Sequence, residues 1–340
     1  MEREDSRDVW LLLILSRCAD IRHMHLDRIV AVLALLAAGV RSANAAPAIA
    51  RGDGDTVVVF TAASLAVPIR AALDTFARRT GTVVLQENGA SLELARRVTE
   101  LHRVPDVLAL ADEEVFPRLL VPRAASWYAR FARNRMVLAY TDRSVGAAGV
   151  SAANWYRVLQ RPDVRVGRSD PALAPVGYRT LAVYRLAEQD YHVPGLAARL
   201  EARTPPALIR PNASELVALL QAGELDYIVD YESLARANHL RYLRLPVDMD
   251  LGDPSRAARY ARVSVRVPRR TDTLTYTGAP IVYGIAVPRE APHAAAGARF
   301  LAFLLGPEGG AILSAHAVDA LRQPEFIGDS VPSTLRRARR

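Results

Sequence analysis

Two short apolar runs in this chain end in the same way, and that repeat restricts the possible folds more than any other feature. The first run, residues 57–60, breaks at small residues and at Ser64 before a helical pattern begins at Ala66. The second, residues 82–86, breaks at a turn and at Ser91, where another helical pattern begins. A β-branched run followed at once by an amphipathic segment predicts a strand, a tight turn and a helix. Repetition of this unit predicts an α/β fold with a parallel sheet covered by helices.

The two serines stand where each predicted strand gives way to its helix. A serine at that position can cap the helix, because the first amides of a helix have no partner within it. The same geometry suits an anion, since unpaired amides and hydroxyls donate hydrogen bonds at the positive end of the helix dipole. Ser64 and Ser91 are therefore either ordinary caps or donors to a ligand at the carboxyl edge of the sheet.

Three later segments place further donors at predicted helix starts. A proline-containing loop leads into a helix at Val176, and a helical pattern also begins at Ala213. The first of these segments has a rigid crossover loop without a ligand as its alternative interpretation. A third helix is predicted to open at Asp230, with that residue as its cap, and the Tyr231 hydroxyl is predicted to face a cleft.

The composition describes a globular chain with room for two cores. Its 340 residues are 51% apolar and 24% charged, which is enough to form one large core or two smaller ones. The formal net charge is +8, and all 44 basic residues are arginine. Because these arginines are spread along the chain without interleaved aromatic residues, the charge predicts an anion-attracting surface and no nucleic-acid partner.

The amino terminus predicts an export signal. Basic residues within 22–28 precede an apolar stretch at 29–40 and a run of small residues, which together predict a signal peptide over residues 1–45. Met24 would begin a well-proportioned signal by itself, so a mis-assigned start over residues 1–23 stays open. We expect an exported protein with a periplasmic or cell-envelope location.

The motifs of the common catalytic sites are not in the sequence. It has no Gly-x-Ser-x-Gly, no Gly-x-x-x-x-Gly-Lys and no His-Glu-x-x-His, the patterns of serine hydrolases, phosphate-binding loops and zinc proteases. Cys18 is the single cysteine and falls in the predicted signal, so no thiolate site is expected in the exported chain. The sequence therefore predicts no catalytic residue, no metal site and no cofactor.

Hydrogen-bond donors are what the sequence offers instead. A fully ionised oxyanion needs only donors, and each hydrogen bond to a charged group contributes roughly 1.5–3 kcal/mol. About five such bonds exceed the roughly 8 kcal/mol of micromolar binding, even after the costs of association. The candidate ligand-binding residues are Ser64, Ser91, Val176, Ala213 and Tyr231.

Several ordered blocks of the chain carry a family resemblance. They are Thr61-Ala62-Ala63-Ser64-Leu65, Gly89-Ala90-Ser91, Pro105-Asp106-Val107, Phe131-Ala132-Arg133-Asn134, Asn154-Trp155-Tyr156, the loop 167–179, Gly223-Glu224-Leu225-Asp226-Tyr227 and Pro280-Ile281-Val282-Tyr283-Gly284. In these blocks the chain resembles the solute-binding proteins of molybdate and tungstate ABC transporters, and most of all their tungstate-type branch.

The resemblance implies the type II periplasmic binding-protein fold, in which two α/β lobes hold the oxyanion in the cleft between them. The implied boundaries are residues 55–138 and 284–322 for the first lobe, 139–283 for the second and 323–340 for a C-terminal tail. Strands at 137–141 and 281–287 would cross between the lobes. The motifs place Ser64 and Ser91 as donors in the first lobe. They place the amides of Val176 and Ala213 and the Tyr231 hydroxyl in the second.

The chain departs from the tungstate-type branch at two positions. That branch has a carboxylate before the proline of the 167–179 loop and another early in a later helix, and the match puts Ala174 and Ala213 there. Without carboxylates to complete an octahedral shell, the ion would be held tetrahedrally through hydrogen bonds. Asp170 and Glu215 stay open as substitutes if the match is shifted by a few residues.

The expected function is therefore capture of molybdate or tungstate and delivery of the ion to an ABC transporter membrane permease, by a monomer that is not an enzyme. Sulfate or another oxyanion is the alternative within this class. Phosphate is disfavoured if no acceptor faces the site, because its remaining proton needs one. An enzyme on the same scaffold and a ligand-sensing module of a regulator are the alternatives from other classes.

Overall fold

Two β-sheets form the centre of the chain. The computed structural model describes residues 56–268, 273–333 and 335. The predicted signal peptide over residues 1–45 and the last residues of the predicted tail lie outside this part. In the described part, no helix is long and apolar enough to cross a membrane.

The first sheet has six strands and contains the start of the described chain. Its strands are β1 (Thr56–Ala62), β2 (Val83–Gly89), β3 (Val107–Leu110), β4 (Trp127–Asn134), β12 (Ile281–Ala286) and β13 (Asp319–Gly328). They lie in the order β13-β4-β12-β3-β1-β2, with β1 parallel to β2 and β3 and with β12 antiparallel to β3 and β4. Its helices are α1 (Ala66–Thr80), α2 (Ser91–Thr99), α9 (Ala294–Leu304) and α10 (Pro307–Ala315).

The second sheet has five strands. They are β5 (Met136–Tyr140), β6 (Val166–Ser169), β7 (Ile209–Arg210), β8 (Tyr227–Tyr231) and β9 (Arg241–Arg244), and they lie in the order β7-β6-β8-β5-β9. Its helices are α3 (Trp155–Val158), α4 (Pro175–Asp190), α5 (Leu196–Ala202), α6 (Ala213–Ala222) and α7 (Glu232–Ala237). A short helix α8 (Ala257–Tyr260) precedes the hairpin of β10 (Ser264–Pro268) and β11 (Thr273–Thr277).

Three interior strands of the two sheets are buried along their whole length. Every residue of β3, β5 and β8 is buried, as expected where helices cover both faces of a sheet. The edge strand β2 differs, because Val83 and Leu85 are 56% and 53% exposed. The α/β fold predicted from the repeated strand-turn-helix unit is confirmed, but both sheets are mixed and not purely parallel as predicted.

The chain changes sheets earlier than the predicted boundaries. β4 ends at Asn134 in the first sheet and β5 begins at Met136 in the second, so the outward crossing lies at Arg135. The return lies between β11 and β12, at residues 278–280. The runs predicted to cross, 137–141 and 281–287, instead pair along most of their length within one sheet, because both are apolar and buried.

The predicted tail starts inside a strand. Residues 323–328 belong to β13, whose last four residues, from Glu325 on, pair with β4. The register of this pairing shifts between Ala320 and Glu325, around Pro324, which cannot donate to a ladder and is tolerated at a sheet edge. Because Pro324 interrupts the strand, the sequence pattern of β13 does not predict one.

Candidate functional site

The five residues predicted to bind a ligand surround one small cavity between the two lobes. Its lining includes Ser64, Ser91, Val176, Ala213 and Tyr231. None of the five is more than 6% exposed. The fold therefore brings the predicted residues together, while their role toward a ligand stays a prediction.

Each of these residues lies at or just beyond the carboxyl end of a strand. Ser64 lies in the turn after β1, and Ser91 is the first residue of α2, just after β2. Val176 is the second residue of α4 after β6, Ala213 the first of α6 after β7, and Tyr231 the last of β8. Ligands of open α/β sheets bind at this edge, because loops and helix starts converge there.

Neither serine caps a helix, so their interpretation as ordinary caps is wrong. The N-cap of α1 is Leu65 and that of α2 is Ala90, and neither residue makes a side-chain capping bond. Ser64 lies one residue before its N-cap, whereas Ser91 lies one residue inside the helix. The two hydroxyls are therefore available for other partners.

The Ser91 hydroxyl accepts a hydrogen bond from the chain. The amide nitrogen of Ala111, just after β3, donates to Ser91 Oγ over 3.0 Å. A serine hydroxyl has one proton to donate. Among the described residues this proton has no acceptor, so it can be donated to whatever occupies the cavity.

The Ser64 hydroxyl is oriented by a relay from the crossing between the lobes. Tyr283 on β12 donates its hydroxyl proton to Ser64 Oγ over 3.2 Å. Tyr283 in turn accepts from Asn134 Nδ2, a close contact at the end of β4. The Asn134 amide is fixed in this direction because its Oδ1 accepts from the backbone amides of Arg135 (2.9 Å) and Ser233 (3.4 Å). Ser64, like Ser91, is left with a proton to donate.

The Tyr231 hydroxyl is oriented by a buried arginine. Arg179 Nη1 donates to the Tyr231 oxygen over 2.6 Å and to the Ala111 carbonyl over 2.6 Å. Burial raises the pKa of Tyr231 above its usual value, although the neighbouring Arg179 opposes the shift. The phenol therefore keeps its proton at neutral pH and can donate it.

The helix starts on the other side of the cavity supply amides. Val176 and Ala213 lie within the first two positions of α4 and α6, where an amide has no acceptor inside its own helix. The side chain of Asn212 caps α6, but it accepts from the amide of Glu215 and not from that of Ala213. Both helices direct the positive ends of their dipoles toward the cavity.

No charged side chain lines the cavity in the described part of the chain. Ala174 and Ala213 are both lining residues, at the positions where the tungstate-type branch has carboxylates. Asp170 does not line it and accepts from the amide of Ala172 over 2.7 Å. Glu215 is exposed and accepts from Asn212 Nδ2 over 2.9 Å. Neither carboxylate substitutes for the alanines in this arrangement.

The predicted cap at Asp230 is wrong. Asp230 lies in β8, fully buried, and Tyr231 is the N-cap of α7. Its Oδ1 accepts from the Tyr231 amide over 2.7 Å, while its Oδ2 has no partner in the described structure. Burial raises the pKa of the Asp230 carboxyl to about 7, and the bond from Tyr231 opposes the shift.

The residues that orient the hydroxyls were not found by reasoning from the sequence. Asn134, Arg179 and Tyr283 all stand inside blocks that carry the family resemblance, but nothing in those blocks indicates a role for them. Their contacts join residues that are between 52 and 219 positions apart. Only the folded chain shows which residues meet.

Comparison with known proteins assigns the family. Residues 57–317 match the bacterial extracellular solute-binding protein family. The chain belongs to this family. It is 38% identical over 283 residues to an uncharacterized solute-binding protein of Petrotoga mobilis, covering 82% of this chain and 88% of that one. It is 33% identical over 334 residues to the molybdate/tungstate-binding protein WtpA of Thermococcus kodakarensis, covering 90% and 94%. The resemblance found in the sequence is confirmed.

Solved structures of other solute-binding proteins share the fold. The periplasmic molybdate-binding protein of Azotobacter vinelandii matches with a TM-score of 0.56 and 18% identity, covering 77% of this chain and 98% of that one. The sulfate-binding protein SubI of Mycobacterium tuberculosis matches with a TM-score of 0.55 and 13% identity, covering 83% and 90%. At these identities the likeness concerns the fold alone, and it confirms the two-lobed architecture of this solute-binding protein.

Proposed function

We propose that this solute-binding protein captures a fully ionised tetrahedral oxyanion, molybdate or tungstate, and delivers it to an ABC transporter permease. The observation that carries the proposal is the direction of three hydrogen bonds. Ser64, Ser91 and Tyr231 each accept a bond from the protein and donate none within the described residues, so each hydroxyl has a proton to donate to a ligand. A cavity with donors and without a charged lining fits an anion that has no proton of its own. The chain's similarity to the molybdate/tungstate-binding protein WtpA of Thermococcus kodakarensis supports the choice of ions.

Sulfate is the second candidate, because it is also a tetrahedral dianion without a proton. Calorimetry of the protein purified after export, titrated with molybdate, tungstate, sulfate and phosphate, tests both. We expect micromolar or tighter binding of molybdate or tungstate and no phosphate binding below the millimolar range. If sulfate alone binds tightly, the second candidate is correct. If no oxyanion binds below the millimolar range, the proposed function is wrong.

We further propose that the site binds its ion without catalysing a reaction, and that the protein works as a monomer without nucleic acid. Membership of an extracellular solute-binding family supports transport as its role. The proposed location is the periplasm or the cell envelope, reached after removal of residues 1–45. Amino-terminal sequencing of the exported protein tests this, and a form that retains residues before Met24 would contradict both the cleavage site and the alternative start.

The Ser64→Ala variant is expected to bind the oxyanion about 10- to 150-fold more weakly. The loss corresponds to one hydrogen bond to a charged group, roughly 1.5–3 kcal/mol. Ser64 caps no helix, but the buried Tyr283 hydroxyl loses its acceptor, so the folded state should lose about 1–3 kcal/mol of stability and the variant should still fold. Calorimetry and thermal unfolding measure the two effects. Ser214→Ala, which changes an exposed serine of α6, is the control and should leave the affinity unchanged. A loss of stability with unchanged affinity would contradict the assigned role.

Bound tungstate or molybdate is expected to keep four oxygen neighbours. Alanines at 174 and 213 offer no carboxylate to the metal, and Asp170 and Glu215 are bonded elsewhere. Hydrogen-bond donors act on the oxygens of the ion and leave its coordination number as it is in solution. X-ray absorption spectroscopy of the complex counts the neighbours directly. A six-coordinate metal would show that a protein oxygen enters the shell.

A further inference from the structure

A buried ion pair joins the two lobes immediately behind the cavity. Arg179 lies on α4 in the second lobe, and Asp112 follows β3 in the first. Arg179 Nη2 lies 3.1 Å from Asp112 Oδ1, and each side chain is 7% exposed. The hydroxyl of Tyr178, the residue before Arg179, donates to the second oxygen of the same carboxylate. These contacts cross the cleft, so they exist only while the lobes are together.

The same guanidinium also touches the site. Its Nη1 donates to the Tyr231 hydroxyl and to the Ala111 carbonyl, both over 2.6 Å. Ala111 is the residue whose amide orients Ser91. One side chain therefore contacts a candidate ligand donor, the backbone that positions another, and the opposite lobe.

Separation of the lobes would return both charges to water. Closure buries them again, and burying a charge is unfavourable unless it is paired with a partner in good geometry. The pair therefore favours closure only when both partners are present. If one is neutralised, the other is a buried charge without its partner in the closed form, which shifts the equilibrium toward the open form.

We infer that Arg179 and Asp112 form a closure latch, in which the residue that orients the Tyr231 donor also holds the lobes together. Arg179 is thus a positioning residue and Asp112 its anchor in the other lobe. The effect on ligand release rests on the proposed oxyanion function, whereas the effect on lobe closure does not. A further bond across the cleft, from the Leu92 amide to the Leu173 carbonyl over 3.1 Å, lies outside this pair.

Asp112→Asn tests the latch, with Asp226→Asn as its matched control. Asp226 is also a buried carboxylate 3.1 Å from an arginine, but its partner Arg165 lies in the same lobe. Small-angle X-ray scattering of the ligand-free proteins should show a larger radius of gyration for Asp112→Asn and an unchanged one for Asp226→Asn. Displacement of bound molybdate should be at least about tenfold faster for Asp112→Asn and unchanged for the control.

Tyr178→Phe keeps the test decisive if Asp112→Asn does not fold. This variant removes one hydrogen bond to the carboxylate and keeps both charges, so a smaller shift in the same two quantities is expected. Equal scattering from the wild type and from each of these two variants that folds, Tyr178→Phe alone if Asp112→Asn does not, would overturn the latch. A scattering change without oxyanion binding in any variant would leave the latch standing and refute the proposed function. Faster release in the Asp226→Asn control as well would also overturn the latch.

Discussion

The Ser91→Asp variant is expected to lose molybdate or tungstate affinity by at least about 1000-fold while still folding. Ser91 is 1% exposed and lines the cavity. A carboxylate there replaces a donor with a negative charge, and a like charge facing the ion in a buried site costs several kcal/mol. The fold should tolerate the change, because an acidic residue at the first position of α2 is favourable to the helix dipole. A carboxylate oxygen can also accept the Ala111 amide that the hydroxyl accepts now.

Ser91→Asn is the matched control, because it has nearly the same size as the aspartate and carries no charge. Its loss of affinity should be smaller by at least tenfold, since only the donor geometry changes. Calorimetry gives the affinities, and thermal unfolding without ligand shows that both variants are folded. If Ser91→Asp binds within tenfold of the wild type, the ion does not sit against the start of α2. If Ser91→Asp fails to fold, Ser91→Asn alone decides whether this hydroxyl contributes to affinity.

The fold could be predicted from local patterns because its strands and helices follow one another in a regular alternation. The run over residues 57–60 and the small residues after it were sufficient to predict β1, the turn and α1. Boundaries between the lobes were placed a few residues late, since a buried strand such as β5 has the same composition whether it crosses or stays within a sheet. The strand β13 was missed because Pro324 interrupts its pattern.

The residues that line the cavity were predicted from the sequence, whereas the residues that orient their hydroxyls were not. The carboxyl ends of the strands bring residues at helix starts together, so the predicted residues line one cavity. They are Ser64, Ser91, Val176, Ala213 and Tyr231. The direction of each hydroxyl, in contrast, depends on partners that are remote in sequence. No periodicity or spacing indicates that the amide of Asn134 directs Ser64 through a tyrosine of another strand. The cap predicted at Asp230 was wrong, and so was capping as the alternative interpretation of the two serines, since capping and ligand donation use the same residue types.

The Asp230→Asn variant is expected to be more stable than the wild type at alkaline pH and close to it in acid. Burial raises the pKa of the folded carboxyl to about 7 from 3.8. The folded state therefore holds a proton that the unfolded state releases, and the stability from this group is full below pH 3.8 and lost as the pH rises through 7. Between pH 4 and pH 8 the difference in unfolding free energy, variant minus wild type, should rise by on the order of 3–4 kcal/mol. Denaturant unfolding of the ligand-free proteins at both pH values measures it.

Asp163→Asn is the comparison variant, because the pKa of the Asp163 carboxyl is shifted in the opposite direction to that of Asp230. Asp163 is exposed, and a hydrogen bond from Arg161 lowers its pKa below the usual value. Its stability contribution is present above the unfolded pKa and lost as the pH falls, so this variant should not gain stability at pH 8.

The Asp230→Asn variant isolates the ionisation of this carboxyl, because an asparagine at 230 can still accept the hydrogen bond from the Tyr231 amide that Oδ1 accepts now. If the unfolding free energy of Asp230→Asn minus that of the wild type is the same at pH 4 and pH 8, Asp230 is ionised in the folded protein. Its second oxygen must then have a partner, such as a buried water, which would stabilise charge beside the Tyr231 donor.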